Sequence, residues 1–242
     1  MGDSKRLCGR GLNMGRAGQV VSTDGDDFKW VDSGGESSAV SIPPIHPGSL
    51  DDEFSDATLD LTRWTWMNQG PATAILKYGI MSLRAPANLG DSFRIITQPV
   101  PSGAWQVTAR ILLTRYATDY GQGGIVVSDG TKCQVWGPGY VTAWVLIYSK
   151  FLNPTTWNAN VYNIQQPGAG GIICGRWFYL RWTDDGTTNV TMSHSFDGIN
   201  FMDLYAEART AFLTPTLVGL FANSNDAAHD TVMAVDWFRR TA

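Results

Sequence analysis

Residues Trp177 to Phe201, WFYLRWTDDGTTNVTMSHSFDGINF, carry two Asp-Gly pairs, Asp185-Gly186 and Asp197-Gly198, on either side of a ten-residue segment. Asp-Gly suits tight hairpin turns. Glycine reaches positive backbone angles without steric cost, and a short aspartate side chain bonds to the backbone beyond it. Before the first turn, Phe178, Leu180 and Trp182 alternate with Tyr179, Arg181 and Thr183. After it, Val190, Met192 and His194 alternate with Thr191, Ser193 and Ser195. A period of two places each set on one face of a strand. The stretch therefore predicts consecutive antiparallel strands, each buried on one side.

The same pattern extends in both directions. Ala74 to Leu83 reads as a strand pair turning near Tyr78-Gly79, and Gln106 to Ile111 alternates clearly. Gly124 to Ser128 and Lys132 to Trp136 flank Asp129-Gly130, a further hairpin signal. Trp144 to Ser149, Val161 to Ile164, Leu217 to Ala222 and Val232 to Arg239 add strands, and Asp203 to Ala211 is the one stretch suited to a short helix. Many short strands with turn-rich connections and no alternation with long helices predict an all-β, two-sheet antiparallel sandwich. Most of the ten tryptophans are expected in its core.

The first fifty residues have a different texture. Residues 1–49 are rich in Gly, Ser and Asp and end in the extended run Ile42-Pro43-Pro44-Ile45-His46-Pro47-Gly48. Gln19 to Thr23 and Phe28 to Val31 read as a hairpin around Asp24-Gly25-Asp26-Asp27. A lone hairpin is marginal in water, so this arm is expected to pack on its own domain, on another copy or on another protein. The expected division is an extended N-terminal arm, 1–49, and a sandwich, 50–242.

Charge and composition narrow the partners. Eighteen basic against 22 acidic residues give a net charge of −4, without the dense basic footprint that neutralises phosphates. Nucleic acid is not expected as a partner. No apolar run is long enough for a membrane-spanning helix, and the start MGDSKRLCGRG lacks the hydrophobic stretch of a signal peptide. Three cysteines, Cys8, Cys133 and Cys174, have no metal-ligand spacing; a Cys133 to Cys174 bridge and buried free thiols are the alternatives. No cofactor is expected.

Two resemblances add to this reading. The segment Gly18 to Val31, GQVVSTDGDDFKWV, resembles a piece common in bacteriophage tail-fibre and other virion-fibre proteins, where it joins an attachment region to a distal head. The stretch Leu50 to Arg240 resembles the concanavalin A-like lectin and glucanase superfamily. Asp51 to Ser55 with Leu59 to Trp64 is similar to its opening strand, Phe178 to Phe201 to its hairpins, and Val218 to Ala222 with Val235 to Phe238 to its closing strands. The resemblance implies a jelly roll whose first and last strands pair. Function does not travel with such a fold.

A glycosidase needs two facing carboxylates, usually about 5 to 9.5 Å apart. The glucanase pattern of alternating acids on one strand is missing. The three glutamates, Glu36, Glu53 and Glu207, lie outside confident mid-sheet strands, so no catalytic residue is nominated. No metal is assigned. Asp51 to Glu53 with Asp236, and the loop Asn223 to Asp230, are the places where oxygen ligands for calcium would gather.

Ligand-binding candidates come from loops that combine aromatics with glycine or amides. They are Tyr116 and Tyr120 in the run to Gly124, Trp136 and Tyr140 around Gly137-Pro138-Gly139, and Trp157 in the polar connection after Phe151. Tyr179 and Arg181 on the polar face of their strand, and Asn223 and Asn225 in the late loop, complete the set. Aromatic faces cover the apolar side of a sugar ring while amides and carboxylates bond its hydroxyls; the same residues suit protein contacts.

The expected function is a non-enzymatic virion fibre, spike or tail component with a lectin-like head for a host-surface glycan or protein. Residues 1–49 would contact other virion proteins and build a homo-oligomer, a trimer by analogy with fibres. The alternatives are a carbohydrate-binding accessory module of a bacterial glycoside hydrolase and a purely structural virion decoration domain.

Overall fold

The computed structural model describes residues 19–23, 28–32, 50–113, 121–140, 144–165 and 175–241. The chain separates into two compact units, Met1–Pro44 and Ile45–Ala242. In the first, β1 (Gln19–Thr23) and β2 (Phe28–Asp32) form an antiparallel hairpin with Val21 opposite Trp30.

The second unit is all β among the described residues. Its strands are β3 (Thr65–Met67), β4 (Thr73–Lys77), β5 (Ile80–Ala85), β6 (Arg94–Pro99), β7 (Trp105–Leu113), β8 (Gln122–Ser128) and β9 (Cys133–Tyr140). They continue as β10 (Trp144–Asn153), β11 (Thr156–Gln165), β12 (Phe178–Asp184), β13 (Asn189–Ser195), β14 (Met202–Ala208), β15 (Leu217–Asn223) and β16 (Thr231–Thr241). Sheet 1 has the order β11-β10-β9-β8-β15-β6-β3, and sheet 2 the order β14-β13-β12-β7-β16-β5-β4. The expected two-sheet antiparallel sandwich is the observed architecture.

The period-two reading decides what lies between the sheets. Phe178, Leu180 and Trp182 of β12 are buried while Tyr179, Arg181 and Thr183 are half-buried on the other face. With Val107, Ala109 and Ile111 of β7 they pack in the same core as Ile125 and Val127 of β8 and Val218 and Leu220 of β15. Each large side chain removed from water there contributes about 1.5–3 kcal/mol.

Asp185 and Asp197 build the turns the sequence assigns to them. The Asp185 carboxylate accepts from the Thr187, Thr188 and Asn189 amides at 2.8, 2.6 and 2.9 Å. Asp197 accepts from the Ile199 and Asn200 amides, both at 2.8 Å, and Gly186 and Gly198 each sit at φ 76°. These bonds to the ionised form hold both carboxyls far below their ordinary range: chiefly the Thr188 hydroxyl for Asp185 and the Asn200 amide for Asp197.

Asp203 to Ala211 departs from expectation. Residues Met202–Ala208 form edge strand β14, with Asp203 opposite Ser193 and Glu207 opposite Val190. An isolated helix of this length is marginal, whereas β13 offers a ready ladder of backbone partners. The change brings Glu207 inward. Its carboxylate accepts from Tyr148 at 2.5 Å, Gln134 at 2.7 Å and Lys150 at 2.7 Å, bridging the edge of sheet 2 to β9 and β10 of sheet 1. Burial first, then Glu207, pushes the Tyr148 hydroxyl far above its ordinary range, so it stays a proton donor.

The opening stretch is clasped to the last strand. Asp52 and Phe238 exchange amide-to-carbonyl bonds of 2.8 Å in each direction. The Asp52 carboxylate, buried, accepts from the Phe54 amide and the Trp64 indole, both at 2.7 Å. The neighbouring acids take separate partners: Asp51 accepts the Arg240 amide at 2.6 Å, Glu53 pairs with Arg239 at 2.7 Å, and Asp236 pairs with Arg110. The calcium cluster envisaged for Asp51 to Glu53 with Asp236 is thus replaced by pairings directed apart. Cys133 is a buried free thiol, pushed up to about 11 by burial, and Cys174 lies outside the described residues.

Two predictions follow from these contacts. Asp52→Ala leaves the Trp64 indole donor buried and unpaired, and should lower stability by about 1–3 kcal/mol in denaturant melts. The depressed carboxyls of Asp185 and Asp197 stabilise the fold above the ordinary carboxylate range and lose that contribution as pH falls through their folded values. The Asp185→Asn/Asp197→Asn double variant should therefore show a shallower loss of melting temperature than the parent below about pH 4.

Candidate functional site

The outer face of sheet 1 carries a second apolar cluster. Phe93, Ile95, Val126, Cys133, Val135, Phe151 and Phe221 are buried together there, with Met67 against them. Phe151 belongs to β10 while Phe93 precedes β6, four places along the sheet. Their rings nevertheless lie 4.4 Å apart, with Phe221 5.1 Å from Phe93, and the Phe93 amide donates to the Pro154 carbonyl at 2.9 Å. The far half of the β10–β11 hairpin therefore crosses the sheet face. Register shifts after Tyr148, Lys150 and Phe151 supply the bend, as bulges do.

Glycines let the underlying strands approach closely. A Cβ on Gly124 would lie 2.1 Å from the Trp136 carbonyl oxygen, and one on Gly137 2.1 Å from that of Gly123. Side chains are excluded at both positions.

Where the hairpin meets the sheet it encloses a pocket of about 340 Å³, at the lower end of small-ligand sites. Its described lining is Asp91, Gln122, Phe151, Trp157, Asn160 and Asn225. Trp157 is 54% exposed, and its indole donates to Asn160 Oδ1 at 3.1 Å, which also accepts from the Ser149 hydroxyl at 2.7 Å. The opposite wall is equally organised. Asn223 accepts from the Ser92 amide at 3.0 Å and donates to Asp91 Oδ1 at 2.9 Å; Asn225 donates to the same oxygen at 3.2 Å. Burial pushes the Asp91 carboxyl above its ordinary range, and these two amides oppose the shift. Gln122 is 4% exposed, and its Oε1 has no hydrogen-bond partner among the described residues.

The pocket thus joins an exposed indole face to an array of carboxylate and amide groups. That combination can hold a ring with an apolar face and hydroxyl edges. Asp91 is the one acid among its described lining residues.

The nominated residues fall in several places. Trp157 and Asn225 line the pocket, and Asn223, fully buried, stands behind it as the group that positions Asp91. Trp136 is fully buried in the inter-sheet core, its indole donating to the Ser193 carbonyl at 3.3 Å, because Trp136 to Tyr140 continue strand β9 and are no loop. Tyr140 is half-buried, 5.8 Å from the Trp144 ring. Tyr179 and Arg181 lie on the outer face of sheet 2, with Tyr179 5.7 Å from Trp237 and the Arg181 guanidinium 3.3 Å over Phe201. Tyr116 and Tyr120 lie outside the described residues. In the late loop, Asp226 accepts from the Ala228 amide at 2.8 Å and faces His229 Nδ1 at 3.0 Å. Among the described residues no group of three or more His, Cys, Asp and Glu side chains gathers to hold a metal.

Asp91 escapes a reading of the sequence alone, whereas Asn160 lies in the polar connection that carries Trp157. Asp91 follows Gly90 like any turn aspartate, and its defining partner, Asn223, is 132 positions away. The usable signal is the density of amides beside Trp157, in Trp157-Asn158-Ala159-Asn160.

No family model matches the sequence, and no curated protein matches it. Solved structures share the fold. The GH43 protein BlXynB from Bacillus licheniformis aligns with a TM-score of 0.63 at 17% identity, over 92% of this chain and 46% of that one. Xylan beta-1,4-xylosidase from Bacillus halodurans C-125 gives 0.61 at 14% identity, over 82% and 40%. The carbohydrate-binding module CBM66 from Bacillus subtilis gives 0.54 at 10% identity, over 74% and 95%. The chain spans less than half the length of the first two. At these identities the likeness establishes the sandwich fold.

The two pocket walls should differ in their effect on stability. Asn223→Ala strands buried polar groups and should lower stability by about 1–3 kcal/mol, whereas Trp157→Ala, at an exposed position, should stay within about 0.5 kcal/mol of the parent in thermal melts.

Proposed function

We propose that the sandwich is a non-enzymatic carbohydrate-recognition domain whose binding site is the pocket under the β10–β11 hairpin. The observation that carries this reading is the exposed Trp157 indole, hydrogen-bonded to Asn160, in one pocket with Asp91, Gln122 and Asn225. An indole covers the apolar face of a sugar ring, and the opposite wall bonds its hydroxyls. The solved carbohydrate-binding module among the similar structures has the same fold, which makes the reading compatible with known uses of this architecture.

In the fuller reading, this domain is the receptor-facing head of a virion fibre or spike, and residues 1–49 attach it to other virion proteins and to further copies of itself, as a trimer. The support is the fibre-like segment Gly18 to Val31 and the hairpin of β1 and β2, which belongs to a compact unit of its own. The competing reading, an accessory module of a bacterial glycoside hydrolase, draws on the likeness to GH43 chains of which this chain spans less than half.

Glycan-array screening of the full chain should give binding to at least one glycan class. Trp157→Ala should weaken that binding by about tenfold or more, the worth of one well-covered aromatic face, without changing the melting temperature. Binding unaffected by Trp157→Ala would move the site elsewhere. The arm is tested separately: light scattering of the full chain should report a trimer, and a mass equal to the single-chain 26.5 kDa would exclude an oligomerising arm.

A further inference from the structure

The pocket contains one carboxyl group and no basic side chain among its described lining residues. Among its described lining residues Asp91 is the one ionisable group; the others are amides and aromatics. Its Oδ1 is taken by the neutral amides of Asn223 and Asn225, and Oδ2 receives no hydrogen bond from the described residues. No arginine, lysine or histidine is among the described residues that line the pocket.

Gln122 is a neutral member of the same lining: it belongs to β8 and is 4% exposed. Asp91 therefore has no compensating cation among the described residues of this small pocket.

From this arrangement we propose that the pocket is selective by charge: it takes a neutral, hydroxyl-rich sugar unit that donates to Asp91, and it rejects sugars carrying a carboxylate, sulfate or phosphate. This rests on the carbohydrate-binding reading above. A hydroxyl can donate to the Asp91 carboxylate, while an anionic substituent is acceptor-only and faces it as a like charge. At the effective dielectric of a protein site, like charges about 5 Å apart disfavour binding by more than about tenfold. The roughly 340 Å³ of space limits how far an anionic group can retreat while the ring stays on Trp157.

The test is an array of matched glycans, each neutral hexose unit printed beside its uronic acid counterpart, probed with the full chain and two variants. The parent should bind a neutral glycan at least about tenfold more tightly than its uronate. Asp91→Asn should shrink that ratio by about tenfold, because it removes the charge and keeps the shape. Asn160→Asp, which keeps the oxygen that accepts from the Trp157 indole and the Ser149 hydroxyl, should widen it by placing a second carboxylate in the pocket away from Asp91. This variant keeps the idea testable should Asp91→Asn fold poorly. Equal or tighter uronate binding by the parent, or a ratio unmoved by either variant, overturns the charge selectivity and leaves carbohydrate binding standing. An array with no binding to any glycan overturns the carbohydrate reading itself.

Discussion

A β-sheet buries both of its faces only when something crosses the second one, and in sheet 1 that crossing is held by Phe93. Its ring meets Phe151 and Phe221, and its amide bonds the Pro154 carbonyl. Through these contacts the β10–β11 hairpin leaves its sheet and roofs part of it. The pocket exists because of that bend. Trp157 and Asn160 ride on the hairpin, while Asp91, Gln122 and Asn225 stay with the sheet below. Apolar packing therefore does two things: it buries part of the outer face of sheet 1, and it sets the distance between an aromatic wall and a polar one.

Polar groups in the sandwich fall into two kinds. Asp52, Asp184 and Glu207 are buried or nearly so and fully engaged: Asp52 with the Trp64 indole and Phe54 amide, Asp184 with Arg209, Glu207 with Tyr148, Gln134 and Lys150. Their work is structural, because a satisfied buried charge costs most when a partner is removed. Asp91 differs. Among the described residues only one of its oxygens is engaged, and it lines a pocket. The contrast separates carboxylates engaged within the fold from one that lines a pocket.

Legibility in the sequence follows the range of the interaction. The Asp-Gly turns, the alternation of β12 and the burial of Phe178, Leu180 and Trp182 depend on neighbours a few residues away, and each is visible in the string of residues. Trp136 misleads for the same reason. Glycine and proline around it suggest a loop, yet Gly137 is required by close approach of β8, a strand contact that sequence spacing does not reveal. Glu207 likewise depends on β13 capturing β14, which a local propensity for helix does not report.

The sequence by itself determined the class of fold: an antiparallel two-sheet sandwich, with its turn builders and the inward face of its strands, because period-two burial and turn chemistry are local properties. It also singled out Trp157 and Asn225 as candidates for contact. Only the tertiary structure decided that these two share a pocket with Asp91 and Gln122, that Trp136 is core, and that Tyr179 and Arg181 belong to a different sheet face. Those outcomes turn on register, bulges and a hairpin folded across four strands, which join residues more than a hundred positions apart.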